Sequence, residues 1–533
     1  KEQVGFQNYS AWTLGESFDI NQLLEAHLIS LLLLDNSSSP LYKVLETNDI
    51  GKSPAQILGL EDSMRHLIFI CGIEGTSEKS QDKFNKLIDK TFAAIKKDGF
   101  SESQIESALY QLELNRREIS SSSLPYGLQI LLSMAPGALY KSDPLALSNI
   151  DEALKQLKEN AHKEGYLQNL IDRFFISNKN RVNLEMVPDL ELINKKEDEL
   201  RKILDGIKSS MSSKEKLDLV NDAKKLADRQ NAEPDKEVLP KLELNDVPKS
   251  ISFPKTKKLA TFGYSPTFYE QPTNGLTYNS VSKDLNLSSL EDVNSLMVLS
   301  ALFGKVGTKD KDYMQLQEDI SKISGGINAS NHFYVDKSGE VKGRISLSSK
   351  FLPDNTVETT NLMFDILQNT DLEDKKRITE LMFQNFMGFQ QSIVENGHRF
   401  AMLGAASLHN KLSYVQENMG GLSAIASFAP YITQQDEMIT NQLTKVKDFY
   451  SNLNEGKDEM LFISNHKLSS EQLDDIRKIN FNKTGDSNVS LDFNPSFSKV
   501  ALPLNTQVNF SALSLDAPIY DAKESPKYVI LSS

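Results

Sequence analysis

Seven histidines (His27, His66, His162, His332, His398, His409 and His466) and one cysteine, Cys71, are the side chains best suited to hold a transition metal or to move a proton near neutral pH. No two of the histidines are separated by three residues, so neither HExxH nor the inverted HxxEH occurs, and no helical face offers two imidazoles to one zinc ion. His398 and His409 stand eleven apart in a stretch that reads as helix, with Glu395 the nearest carboxylate, and His27 lies on an apolar helical stretch, where it reads as a core histidine. Cys71 sits in the apolar run from Leu67 to Ile73 and reads as a buried, inert thiol; a single cysteine excludes an intrachain disulfide. Nucleophile motifs are missing too. There is no GxSxG, and the clusters Ser37 to Ser39 and Ser120 to Ser123 read as turns. Gly304-Lys305-Val306-Gly307-Thr308-Lys309 lacks the spacing of a phosphate loop and follows a helix rather than a strand. Gly325-Gly326 and Gly420-Gly421 read as backbone turns, and Arg116-Arg117-Glu118 as a salt-bridged helix end. On these grounds no catalytic, cofactor-binding or metal residue is assigned within the chain.

The elements that would position any such group follow two periodicities. Ile20, Leu23, Leu24, His27, Leu28 and Leu31 recur at threes and fours, predicting a helix from Asp19 to Leu34. His66 to Ile73 is β-rich and uncharged after its first residue, as in a central strand. Helices are expected at Phe84 to Phe92, closed by Gly99, and at Ser101 to Glu118, and a half-buried strand at Val182, Leu184 and Met186. Further on, Gly275 to Ser282 and Val341 to Phe351 read as strands, and Leu290 to Phe303, Tyr313 to Ile320 and Asp374 to Glu395 as helices. Leu443 to Tyr450 and Ser470 to Ile479 read as helices around a strand at Met460 to Ser464, and Tyr528 to Leu531 as a strand. Shifting the first half by 271 residues lays Tyr42 on Tyr313 and Asp98 to Ser107 on Asn369 to Ile378. A duplicated α+β domain is the simplest account.

Between the copies the texture changes. Of the 49 residues from Asp189 to Glu237, 24 are charged, which predicts a solvent-facing helical hairpin, with Ser212 and Glu215 spaced as a capping box. Pro234, Pro240, Pro248 and Pro254 then mark an extended linker. The whole chain of 533 residues carries a formal net charge of -14, which argues against a phosphate-backbone binder. The apolar run Leu31 to Leu34 stops at Asp35, far short of a membrane span.

The order of landmarks resembles a known family. Leu31-Leu32-Leu33-Leu34-Asp35-Asn36 followed by Ser39-Pro40-Leu41-Tyr42, then Gly99-Phe100, Ile105-Glu106, Gln111-Leu112-Glu113 and Arg116-Arg117-Glu118, are similar to stretches of the presequence protease and falcilysin group of the pitrilysin (insulinase) zinc metallopeptidases. So are Thr273 to Tyr278, Gly307-Thr308 with Tyr313 and Gly325-Gly326-Ile327, and His398 with Glu417 and Met419 to Ser423. The resemblance implies that this chain is the middle portion of a longer protease. In that family two homologous halves, joined by a helical hairpin, close like a clamshell on a chamber that admits unfolded peptides. An HxxEH helix holds the zinc there, and an RVSGGAY element supplies an Arg and a Tyr; neither occurs in this sequence.

The expected organisation is therefore α+β, with repeated two-layer domains of sheet and helix. Residues 1–188 would form most of a second peptidase-like domain, 189–250 the hairpin and linker, 251–438 a third domain, and 439–533 the incomplete start of a fourth. Zn2+ is expected to bind outside this segment, leaving the segment alone inactive. Partners would be unfolded peptides and the remaining parts of the same protein, with no nucleic acid and no membrane. The compartment is left open: an organelle interior in a eukaryote, or a soluble bacterial one. An inactive peptidase-like scaffold or peptide-binding subunit is the alternative.

Overall fold

The computed structural model describes residues 5–119, 124–140, 142–147, 151–232, 243, 245–246, 249–250, 256–258, 266–433, 436–453, 455–482, 484–485, 487–493, 495, 508–518 and 522–532. Ser120 to Ser123 and the four linker prolines lie outside them. By compactness the chain divides in two: Lys1–Phe6 with Met186–Pro254, and Gln7–Glu185 with Lys255–Ser533. The smaller unit holds two 19-residue helices separated by a short turn at Met211 and Ser212, neither of which buries a residue. Their numbers in chain order follow from the larger unit, which is α+β throughout.

Its first sheet is built from β1 (Phe6–Glu16), β2 (Ser53–Pro54), β3 (Gly59–Glu61), β4 (His66–Thr76) and β5 (Arg181–Met186). The order is β2-β4-β1-β5, with β3 also on β4. Alternation decides the faces: in β1 Phe6, Asn8, Ser10 and Trp12 point inward while Gln7, Tyr9 and Ala11 do not. The helices α1 (Ile20–Leu34), α2 (Pro40–Thr47), α3 (Gln81–Asp98), α4 (Glu102–Arg117), α5 (Tyr126–Leu139), α6 (Asp151–Ala161) and α7 (Tyr166–Ile171) accompany it. Trp12 packs edge-on against Phe92 and Phe175 at 5.6 and 5.5 Å, and Phe92 stacks on Phe175 at 4.2 Å. Such aromatic pairs add about 0.5–1.5 kcal/mol each beyond the area they bury. The two exposed helices of the smaller unit are α8 (Leu192–Ser210) and α9 (Ser213–Asn231).

The second sheet comprises β6 (Thr256–Lys258), β7 (Thr267–Glu270), β8 (Thr277–Asp284), β10 (Ile327–Val335), β11 (Val341–Phe351) and β12 (Asp458–Ser464), in the order β10-β11-β8-β12-β7-β6. A short pair, β9 (Asn286–Leu287) with β13 (Asn488–Val489), lies apart from it. Its helices are α10 (Leu290–Leu302), α11 (Tyr313–Ile323), α12 (Thr356–Asn369), α13 (Lys375–Glu395), α14 (Gly397–Ala406), α15 (Lys411–Gly420), α16 (Leu422–Thr433), α17 (Asp436–Leu453) and α18 (Ser470–Arg477). In chain order β1, α1, α2, β4, α3 and α4 recur as β8, α10, α11, β11, α12 and α13, and the central strand order β4-β1-β5 recurs as β11-β8-β12. The duplication is thus carried by topology rather than by identity.

Two departures from the sequence reading have physical causes. A boundary at 438 would cut the second sheet, because β12 pairs antiparallel with β8 and parallel with β7. Lys283 and Asp458, 1% and 0% exposed, lock that pairing with an ion pair at 2.7 Å. Tyr528 to Leu531, expected as a strand, falls in the helix α19 (Ser525–Ser532); a four-residue β-rich run does not fix its state without a strand neighbour.

Candidate functional site

Three places in the α+β unit bring chemically capable groups together. The first is a metal-competent surface cluster. Ser101 caps α4, its hydroxyl accepting from the Gln104 N–H while Gln104 reaches back to the Ser101 N–H. That start fixes Glu102 and Glu106 one turn apart on one face. His162, just past α6, lies between them, with Nδ1 2.9 Å from Glu102 and Nε2 3.3 Å from Glu106. One ligand atom from each of the three falls within 4.8 Å of the others, and all three residues are exposed. This overturns the expectation that metal ligands lie only outside the segment. The set does not match a catalytic zinc centre, however: the two ring nitrogens face different carboxylates, so only one can serve an ion, and the spacing is unlike two histidines with a general-base Glu. No reaction step is derived through it.

The second place is the uncovered face of the second sheet. In β8 Thr277, Asn279, Val281 and Lys283 point into the core, and the Asn279 amide donates to Thr360 of α12 at 2.8 Å. The alternate residues Tyr278, Ser280 and Ser282 therefore point away from the helices. Register adds Ser348 opposite Ser280, Ser346 opposite Ser282 and Lys350 opposite Tyr278 from β11, with Leu461 and Ile463 from β12. The Ser348 and Ser280 hydroxyls stand 3.3 Å apart. A depression of about 420 Å³ opens there, lined also by Gly325, Gly326 and Glu118. The glycines turn the chain tightly at its rim: Gly326 has φ +98, and the Gly325 N–H donates to the Lys350 carbonyl at 2.7 Å. Lys350 pairs with Glu118. The result is a shallow trough floored by hydroxyls, flanked by two aliphatic side chains and closed at one end by an ion pair. It suits an extended backbone better than a compact ligand.

The third place is the seam between the two copies. Tyr110 of α4 donates to the Ile323 carbonyl at 3.0 Å and accepts from the Leu352 N–H at 3.0 Å. Gln111, 8% exposed, donates to the carbonyls of Ser321 and Ser324. Arg377 of α13, 4% exposed, approaches Glu46 of α2 at 2.7 Å, donates to the Ser37 hydroxyl at 3.0 Å and lies over the Tyr313 ring at 4.4 Å. Tyr42 and Tyr313, the repeat-related pair, both neighbour this charge, and burial raises both phenols above the ordinary value.

The remaining sequence candidates scatter. His27 is half-exposed rather than core: its Nε2 pairs with Asp62 at 3.1 Å, a bond that holds the Asp62 carboxyl below the usual range. His398 lies on α14, but His409 lies in the turn after it, so the two do not share a helical face. Cys71 is fully buried and its thiol is pushed up to about 12 by burial, so it is inert as expected. Gly304, at φ +73, begins a turn after α10. Glu118 and Arg117 hold the seam, Asn274 donating to the Arg117 carbonyl at 3.0 Å. The serine trough was missed, although Ser280 and Ser282, and Ser346 and Ser348, alternate within strands that the sequence does predict.

Residues 186–429 match the model of a peptidase-associated family, that of peptidase M16, subfamily C. A Clostridium perfringens protein, "Protein HypA", is 26% identical over 468 residues, which is 85% of this chain and 47% of that protein. Presequence protease 1, chloroplastic/mitochondrial, of Arabidopsis thaliana is 27% identical over 77% of this chain and 39% of its own length. A presequence protease of Danio rerio is 26% identical over 82% of this chain and 43% of its own. The chain spans less than half the length of each of these relatives. At low identity, the matches support a placement in the pitrilysin family of peptidases.

Proposed function

We propose that this chain is the central part of a zinc metalloendopeptidase that degrades unfolded oligopeptides, targeting peptides among them, inside a closed chamber. Residues 1–188 and 251 onward serve as non-catalytic peptidase-like domains, 189–250 tie them, and the strand at 458–464 counts with the later one. The observation that carries the reading is the uncovered trough on the second sheet. Its hydroxyls can exchange hydrogen bonds with any peptide backbone, its aliphatic walls accept side chains without selecting one, and its shallow floor excludes a folded surface. Two of the relatives above, named as presequence proteases, favour peptides of that class as substrates. No helix among the described residues is long and apolar enough to cross a membrane, which is compatible with an organelle interior in a eukaryote.

The test is fluorescence anisotropy with an unstructured 20-residue peptide blocked at both ends. The chain should bind it, and Ser348→Trp, which fills the trough, should weaken binding by about tenfold, or ~1.4 kcal/mol. Equal binding by the variant would remove the trough from the account. Cleavage of a quenched peptide by the chain alone, chelator-sensitive and lost in Glu106→Gln, would contradict the non-catalytic role.

A further inference from the structure

The most voluminous of the prominent cavities lies elsewhere, at the outer margin of the second sheet. About 940 Å³ is enclosed between α10, the strand β10 and the helices α13 to α15. Its apolar wall comes from Met297, Phe333, Phe389, Met402, Leu403 and Met419. Three thioethers and two rings make a soft surface that can repack around different apolar side chains. Lys305, His398 and Arg399 also line it, and no carboxylate does. Neither Lys305 nor Arg399 has an ion-pair partner among the described residues, in a chain whose formal charge is -14. The ring of Phe510, from the segment 508–518, rests 6.2 Å from the His398 ring at the rim.

Backbone chemistry adds a direction. β10 is the outermost strand, paired only with β11, so half of its N–H and C=O groups face away from the sheet. Ala329, Asn331 and Phe333, alternate residues of β10, all line the cavity. The Asn331 amide donates to the Ser300 hydroxyl at 2.9 Å, but its carbonyl oxygen is buried with no hydrogen-bond partner. A stranded acceptor of that kind costs about 1–3 kcal/mol unless something donates to it.

We infer that this cavity is a second binding site, which takes the apolar, carboxylate-terminated end of an extended peptide. The peptide adds a strand to β10, sets alternate apolar side chains among the methionines, donates an N–H to Asn331 and places its terminal carboxylate between Arg399 and Lys305. Hydrolysis of a peptide bond leaves such a carboxylate on the acyl-side fragment, so the site would hold substrate C-termini or cleavage products. It deepens the proposed peptide-handling function, on which it rests, by naming the end that is held and where.

The probe is a fluorescein-labelled unstructured decapeptide ending in three apolar residues with a free carboxylate, titrated with the 533-residue chain. Its C-terminal amide should bind about tenfold more weakly, and N-methylation of alternate backbone amides should weaken it at least as much. Arg399→Glu and Met402→Glu, both at exposed positions, should each cost about tenfold while leaving the circular dichroism melt unchanged. Ser348→Trp should leave this probe's affinity intact, which separates the cavity from the trough: loss of trough binding alone leaves this inference standing. Equal affinity for acid and amide, indifference to both cavity variants, or full competition by decanoate at the peptide's own affinity would each overturn it, the last by assigning the cavity to an amphiphile.

Discussion

Replacing either member of the Arg377–Glu46 pair should destabilise the α+β unit strongly and unequally. The side chains are 4% and 1% exposed and 2.7 Å apart, so each change strands a charge away from water, at about 3–5 kcal/mol. With Glu46→Gln the guanidinium keeps the Ser37 hydroxyl, the Lys305 carbonyl at 3.2 Å, the Tyr313 ring and a distant Glu380 at 3.8 Å. That places the loss near the lower figure. With Arg377→Met the Glu46 carboxylate keeps one weak contact, from the Gln384 amide at 3.4 Å, while its second oxygen is already without a partner. The loss should then approach the upper figure. The double variant removes both charges, so its cost should fall short of the sum by at least ~2 kcal/mol. Urea unfolding at pH 7 measures all four corners. The one tryptophan, Trp12, reports the first core by fluorescence, and far-ultraviolet circular dichroism reports the whole. Single variants costing under ~1 kcal/mol, or strictly additive costs, would refute the claim that this pair clamps the two copies.

Three further outcomes follow from local geometry. A methyl group on Gly72 would sit 2.5 Å from the Tyr9 ring and 2.8 Å from the Asn8 carbonyl, so Gly72→Ala should lower stability by about 1–3 kcal/mol, read from the urea midpoint; a neutral result would mean β1 and β4 can part there. Burial raises the Glu417 carboxyl despite hydrogen bonds from Ser423, so the folded chain holds that proton more tightly than the unfolded one. Stability contributed by this group is then greatest in acid and falls as pH climbs from the ordinary carboxylate value through the raised one. Glu417→Gln should remove that slope and gain on the wild type from about pH 4 to 7; parallel midpoint curves would contradict it. Finally, His162→Ala should cost under ~1 kcal/mol in metal-free buffer, because its ion pairs are exposed. It should also abolish any rise in melting temperature produced by Zn2+; a rise retained in full would locate the ion elsewhere.

Local chemistry was the legible part of this chain. Val341 to Phe351 alternates strictly and is a strand over that span, and Ser101 and Ser212 cap α4 and α9 through the expected boxes. These features are decided by residues close to one another in the chain. β10 was not read, because an edge strand carrying Asn328, Ser330, Asn331 and His332 lacks the apolar alternation of a half-buried one. The place of β12 depends on Lys283 meeting Asp458, a contact between distant parts of the chain that no local pattern encodes. The Glu102, Glu106 and His162 cluster is likewise assembled by packing of α4 against the end of α6. A search for paired histidines passes over it; an i, i+4 pair of carboxylates at a capped helix start was the available signal.

The central claim is that an unfolded peptide lies along the uncovered serine face of the second sheet. Photocross-linking tests it most directly, using a blocked unstructured peptide with one photoreactive residue and mass spectrometry of the adducts. The account predicts adducts on Tyr278, Ser280, Ser348, Lys350, Leu461 and Ile463, suppressed in Ser348→Trp. Adducts confined to the helical side, on α12 for example, and unchanged in that variant would contradict it.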